Sequence, residues 1–307
     1  MRLLNTSTFE LETFFDSDHP PYAILSHTWG DQEVTFQEIQ LEHSRSLLHS
    51  LRQRILEGET IEGFGTQADD FKYIWCDTCN IDKTSSAELS EAINSMYHWY
   101  GNQTCYAYLA DVPCARRFVD AIAYSEDFDF ARWFRRGWTL QELIAPSEVT
   151  FFDQKWQPIG TRTELKSYIA DITGIDQDVL SGEADPLTFS VAIRMSWASK
   201  RETTRKEDVA YCLIGLFGVH MPLIYGERER AFIRLEEEIM KTTDDHSLFA
   251  WRADASLAHQ LEGGLLASSP LQFQDSHNIV PIINDNPDTQ SPHFMTNKGI
   301  SIPLPIF

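Results

Sequence analysis

Over roughly the first 155 residues, short apolar runs alternate with stretches of helical period, the pattern of an α/β fold built on a parallel sheet. Strands are predicted at Tyr22–Leu25, Tyr73–Trp75, Tyr106–Leu109 and Val149–Phe152. Each is brief, rich in aromatic or branched residues and mostly apolar, as expected of strands covered on both faces. Phe36, Ile39, Leu47, Leu48, Leu51 and Ile55 outline a helix from Val34 to about Leu56, broken near His43. Residues 58–70 then read as an exposed acidic loop. Ser85 and Glu88 have capping-box spacing, Leu89, Ile93, Met96 and Tyr100 share the helical face beyond them, and Gly101 closes it. A third helix is predicted over roughly Phe130–Ile144, stopping near Pro146.

From about residue 160 the pattern becomes helical throughout. Val209, Cys212, Leu213 and Leu216 share one face, and Phe232, Leu235 and Ile239 another, both read as core. Beyond Trp251 the periodicity fades into Pro, Asn, Asp and Gly, and the closing GISIPLPIF reads as a strand that simply ends, as in a piece of a longer protein. The expected organisation is an α/β domain over 1–158, a helical extension packed on it over 159–252, and an irregular or β tail over 253–307. The linker around Pro158–Thr163 is too short for a flexible tether.

Charge narrows the choice of partners. With 25 Lys and Arg against 46 Asp and Glu the net charge is −21, which repels phosphate backbones and anionic lipid, so neither nucleic acid nor membrane is expected to bind the bulk surface. No run approaches the length of a membrane helix, and MRLLNTSTFELETFF is not a secretory signal. Five cysteines, Cys76, Cys79, Cys105, Cys114 and Cys212, suit reduced thiols in the cytoplasm better than a disulfide scaffold.

Three segments carry candidate chemistry. The first predicted strand runs into Ser26-His27-Thr28-Trp29-Gly30-Asp31, and ligands of open parallel sheets bind outside the carboxyl ends of strands. Hydroxyls, an imidazole and an indole there suit a nucleotide, although a turn capped by Ser26 with Trp29 as a buried lid explains the same letters. The second strand ends in Trp75-Cys76-Asp77-Thr78-Cys79-Asn80-Ile81-Asp82. Its C-x-x-C resembles a thioredoxin redox motif, but the next helix is expected only at about Ser85, too late to activate Cys76. No second ligand pair of suitable spacing accompanies it, so no metal site is expected, and the thiols read as small buried groups with Asp77 and Asp82 shaping the loop. The third segment, Arg132-Trp133-Phe134-Arg135-Arg136-Gly137-Trp138-Thr139-Leu140-Gln141-Glu142-Leu143, concentrates three arginines in an acidic chain. Trp138 and Glu142 are four apart on one helical face, an indole and a carboxylate suited to a planar cation, and Arg135 or Arg136 could hold a diphosphate. Alternatively the arginines pair with Glu126, Asp127 and Asp129 while Trp138 fills the core.

Together these segments resemble the fungal heterokaryon-incompatibility (HET) domain family. The resemblance rests on MRLLNTSTFELE, YAILSHTWGDQEVTF, YIWCDTCNIDKTSSAELSEAINSMYHWY, AYLADV and RGWTLQELIAP, in order over roughly residues 1–155. SWASKRETTRKEDVAYCLIGLFGVHMPLIYGE and TNKGISIPLP resemble the region C-terminal to the domain in such proteins. More remotely the chain is similar to Toll/interleukin-1 receptor (TIR) domains, which implies a flavodoxin-like sheet and sets Glu142 on the carboxylate position of NAD-cleaving members. Thr139 replaces a Cys of that motif, and about 41–70 is an insertion. The resemblance implies a cytoplasmic cell-death protein that hydrolyses the nicotinamide–ribose bond of NAD, with NAD as substrate and no cofactor. Glu142 would be catalytic, Ser26, His27, Trp29, Gly30, Asp77, Asp82, Arg135, Arg136 and Trp138 would line the site, and an upstream non-self sensor would be a partner. It equally implies a non-catalytic module acting by self-association.

Overall fold

A computed structural model describes residues 1–15, 18–30, 33–40, 71–101, 103–113, 126–253, 264–280, 294–297 and 299–301. Asp31, the stretch 41–70 that carries most of the first predicted helix and its acidic loop, and Cys114 lie outside the described residues. The chain divides into two units, Met1–Tyr168 and Ile169–Phe307. No helix among the described residues is long and apolar enough to cross a membrane.

In the first unit the chain runs β1 (Arg2–Asn5), β2 (Leu11–Thr13), β3 (Tyr22–His27), α1 (Phe36–Gln40), β4 (Tyr73–Trp75), α2 (Asp77–Asn80), α3 (Ser86–Tyr100), β5 (Thr104–Tyr108), α4 (Glu126–Asp129), α5 (Arg132–Arg135), α6 (Thr139–Ile144), β6 (Glu148–Phe152) and β7 (Pro158–Thr161). The strands form one sheet in the order β2-β1-β4-β3-β5-β6-β7. Its middle, β4-β3-β5-β6, is parallel, and all four predicted strands are found there. By chain order those four lie 2-1-3-4, the flavodoxin-like order, whose ligand crevice opens where the order reverses, beside β3 and β5. The antiparallel edges are not evident in the sequence pattern: β1 pairs with β2 and β4, and β7 with β6. β3 is buried from Tyr22 to Ser26, and β4 throughout, which is why both read as unbroken apolar runs.

Helix α3 is capped much as expected. The Ser85 hydroxyl accepts from the Glu88 amide at 3.3 Å, while the Glu88 carboxylate accepts from the Asp82 amide at 2.7 Å and pairs with Arg2. Ala92, Ile93, Met96, Trp99 and Tyr100 form its buried face. Gly101 ends the helix at φ −57, so it is not a left-handed cap; a Cβ there would come within 3.1 Å of the His98 carbonyl oxygen.

Two expectations are corrected. Helix begins immediately after Cys76, as the single turn α2, not first at about Ser85. Residues 130–144 are not one helix: α5 ends at Arg136, whose backbone is extended (φ −76, ψ 138), and α6 starts after Trp138. The Thr139 hydroxyl sits in the break, its one proton shared between the Trp133 and Arg136 carbonyls that a continuous helix would have used internally. Arg162 then holds the far end of α6. The residue is 3% exposed, and its guanidinium donates to the carbonyls of Leu143 (2.7 Å), Pro146 (3.0 Å) and Ser147 (3.0 Å).

The second unit is mostly helical. Val191–Ala198 is capped by the Ser190 hydroxyl, and the Asp245 carboxylate accepts from the Val191 amide at 2.7 Å. In Arg230–Thr242 the predicted stripe of Phe232, Leu235 and Ile239 is buried, as are Cys212, Leu213 and Leu216, with Val209 half-buried. Glu236 is also wholly buried; one carboxylate oxygen accepts from the Ala267 amide at 3.3 Å and the other has no partner among the described residues. The tail contains the short helical turn Pro270–Phe273 and the hairpin Phe294–Thr296 with Gly299–Ser301. The end of GISIPLPIF, 302–307, is outside the described residues.

Candidate active site

The carboxyl ends of β3 and β4 and the short α6 meet in one polar cluster. Strand β3 delivers Ser26, buried, and His27, with 11% of its side chain exposed. The Ser26 hydroxyl donates to Oε2 of Glu142, 116 residues on, and accepts from the Trp133 indole N–H at 2.7 Å. This Trp133–Ser26–Glu142 relay is directional: the indole can only donate, so the hydroxyl proton is committed to the carboxyl group. Trp133 is fixed in turn by edge-on contacts with Phe134 and Phe151, at 5.2 and 5.4 Å between centroids.

Glu142 keeps 8% of its surface, and Oε1 accepts no hydrogen bond from the described residues. Burial raises its pKa to about 8, against the pull of the Ser26 hydrogen bond, with Asp77 and Cys76 adding to the rise and His27 opposing it. The resting carboxyl is therefore mostly protonated at neutral pH, the state in which a buried, singly hydrogen-bonded acid is least costly.

Beside it, Glu33 bridges two groups. It accepts from the His27 ring at 2.9 Å and from the Gly30 amide at 2.6 Å. Burial pulls the His27 pKa down, but the Glu33 hydrogen bond and the nearby Cys76, Asp77 and Glu33 charges outweigh it and push it up to about 9. The other ring nitrogen, Nδ1, is buried without a partner among the described residues. Ligand atoms of His27, Cys76 and Asp77 lie within 4.8 Å of one another. Cys76 and Cys79 are both buried, and a hydrogen bond from Cys79 leads the causes that lower the Cys76 pKa.

Trp29 is not a buried lid: it is 50% exposed. Its N–H donates to both Asp77 oxygens (3.1 and 3.3 Å), and the Lys83 ammonium sits 3.5 Å from its ring centroid and 3.5 Å from Asp77. One indole face is thus already occupied by a cation, which closes that face to a pyridinium.

The other candidate residues are dispersed. Asp82 accepts from Gln37 (2.8 Å) and from the Thr84 hydroxyl and amide, shaping the entry to α3. Arg135 is exposed and lies over the Phe130 ring at 5.5 Å, and none of its described contacts brings it to Glu142. Arg136 and Trp138 are half-buried; Trp138 is helical in its own dihedrals and still precedes Glu142 by one turn. Among the arginines, Arg132 pairs with Asp111, not with Asp127 or Asp129, through its backbone N–H at 2.8 Å and its guanidinium at 3.6 Å. Trp133, Glu33 and Lys83 do not stand out in the sequence; only the indole N–H of Trp133, idle in an apolar core unless bonded, hints at a polar partner.

The family described as heterokaryon incompatibility protein (HET) matches residues 22–117, and a second, described as a domain of unknown function (DUF8212), matches 230–296. The vegetative incompatibility protein HET-E-1 of Podospora anserina is 44% identical over an alignment of 275 residues that covers 84% of this chain. The chain carries a heterokaryon-incompatibility (HET) domain. The chain spans only about one fifth (20%) of that relative's length. No solved structure matches it. The HET match takes in Ser26, His27, Trp29, Glu33, Cys76 and Asp77; Trp133 and Glu142 fall beyond it, inside the longer alignment.

Proposed function

We propose that this HET domain executes cell death in non-self recognition by hydrolysing the nicotinamide–ribose bond of NAD, with Glu142 as the catalytic carboxylate. The observation that carries the reading is the Ser26–Glu142 contact at the carboxyl end of β3, beside the crevice where flavodoxin-like sheets bind ligands. The same strand order accords with the remote likeness to TIR domains.

The chemistry follows from the geometry. Water adds to the ribosyl carbon as the C–N bond breaks, nicotinamide leaves neutral carrying the bonding pair, and one proton is released with ADP-ribose. The leaving group needs no strong acid; what needs stabilising is an oxocarbenium-like ribosyl cation, and a carboxylate opposes that charge. Ser26 presents Oε2 in a fixed direction and leaves Oε1 to meet the ribose. The substrate's pyridinium charge favours the ionised acid, so binding and activation of Glu142 are one event. Trp138, or Trp29 on the face that Lys83 leaves, stacks on the nicotinamide, and Arg135 or Arg136 holds phosphate only if α5 and its flanks close on the ligand.

One observation favours a second reading. Glu142 is nearly buried and already hydrogen-bonded, as a structural acid would be, in which case the domain triggers death by self-association downstream of a non-self sensor. Induced expression in a fungal host separates the two readings. Death and NAD loss with the wild type, and neither with a Glu142→Gln variant of equal folding and self-association, support hydrolysis; undiminished death with the variant overturns it.

A further inference from the structure

We propose that His27, Cys76 and Asp77 form a site for one zinc ion, with Glu33 positioning the imidazole. The site stands on geometry separate from the relay to Glu142, and it holds whether or not NAD is the substrate. It also reverses the expectation of no metal, which considered only cysteine pairs.

The donor set comes from two adjacent strand ends. His27 closes β3, Cys76 follows β4, and Asp77 opens α2, so the parallel pairing of β3 with β4 brings all three together. Their ligand atoms lie within 4.8 Å of one another. Around a tetrahedral zinc, with bonds of about 2.0–2.3 Å, neighbouring donors are about 3.5 Å apart, so closure requires side-chain movements of about 1 Å.

The imidazole is already set for a metal. Glu33 is acceptor-only when ionised, so the ring nitrogen facing it, Nε2, carries the proton. Glu33 is itself anchored by the Gly30 amide at 2.6 Å. Nδ1 is buried and unpartnered among the described residues, which is costly in either protonation state, and a metal arriving there displaces the proton that the ring carries at neutral pH. A carboxylate behind one ring nitrogen and a metal before the other is a recurrent arrangement of metal-binding histidines. Asp77 is supported similarly, by Trp29 N–H and Lys83.

Donor chemistry selects the ion. Thiolate, imidazole and carboxylate together suit zinc better than magnesium or calcium, which take oxygen ligands. Thiolate and carboxylate neutralise Zn²⁺ within the inner sphere. Three protein ligands leave a fourth position for water or a ligand group, as in zinc sites that do chemistry. Cys79 is not in that cluster, and its sulfur lies 3.0 Å from the Asn80 side-chain oxygen.

The test is cobalt titration of the chelator-treated full chain, followed by zinc competition. The expected result is one equivalent of Co²⁺ with intense tetrahedral visible bands and a near-ultraviolet thiolate-to-cobalt band, displaced by one equivalent of zinc. Cys76→Ser should abolish the thiolate band and Cys79→Ser should keep it. Glu33→Gln should weaken zinc binding about 10- to 100-fold. If Cys76→Ser does not fold, His27→Gln, changed on the other strand, must lose tetrahedral binding instead. No thiolate band at millimolar cobalt, or one that depends on Cys79 rather than Cys76, overturns the proposal.

Discussion

Removing the Ser26 hydroxyl should change the pH at which Glu142 ionises far more than it changes the fold. Burial sets that ionisation at about 8 in the free protein. The groups that act on it are Ser26 and His27 of β3, Cys76 and Asp77 after β4, Tyr100 of α3 and Cys105 of β5. Only the ionised form opposes a ribosyl cation, so kcat/KM for NAD should climb with pH, about tenfold per unit below 8, and level off above it. From pH 6 to pH 9 the ionised fraction rises from about 1% to about 90%. In the metal-free protein His27, with its own pKa near 9, loses its charge as the plateau is reached and flattens the last part of the rise. The kcat profile should lie lower, because the bound pyridinium favours the anion. A hydrogen bond to a charged group contributes about 1.5–3 kcal/mol. Ser26→Ala therefore moves the ionisation up by about one to two units, and at pH 7.5 the rate falls by about 8- to 80-fold. The loss should shrink steadily toward pH 10, which a merely misfolded variant would not do. Nicotinamide release measured from pH 6 to 10 decides the matter. A flat profile, a midpoint near 5, or an equal Ser26→Ala deficit at every pH would refute the reasoning.

Other contacts carry their own expected outcomes. Trp133→Phe keeps the ring packing but removes the N–H that fixes Ser26, and should cost about 1 kcal/mol in urea unfolding while lowering kcat more than it raises KM; unchanged kcat would remove the relay. Arg162→Met strands the carbonyls of Leu143, Pro146 and Ser147 and should cost about 3 kcal/mol, roughly 6–12 °C in Tm. Glu236 is held neutral by burial, its pKa raised to about 9. With a folded pKa above the unfolded value, its stabilisation is complete below about pH 4.5 and declines as pH rises toward 9, by up to about 1.4 kcal/mol per unit. Glu236→Gln should match the wild type at pH 5 and exceed it by about 2 kcal/mol or more at pH 8.5; parallel stability curves would contradict this.

The four parallel strands are legible in the sequence because burial on both faces leaves unbroken apolar runs, and Tyr73–Trp75 has the same bounds in both. Strands β1, β2 and β7 are short and half-exposed in part, so their alternation is too weak to register. The break between α5 and α6 is invisible to periodicity, since apolar residues continue through it; one hydroxyl there, that of Thr139, is shared between two carbonyls. The one-turn α2 is shorter than any periodic signal. For the site, Ser26 and His27 are placed correctly by being the last residues of a strand. Pairing Ser26 with Glu142 requires bringing together positions 116 apart, and neither spacing nor charge encodes that. Clustered arginines mislead in the opposite way: nearness in sequence draws attention to Arg135, which the structure turns outward.

The most direct measurement incubates the purified chain at high concentration with NAD and monitors free nicotinamide, beside Glu142→Gln protein of matched thermal stability. Release by the wild type, falling at least about 100-fold in the variant, is the expected result. Equal release by both proteins, or none by the wild type even when clustered, would contradict the assignment of Glu142 as the acid that cleaves the bond.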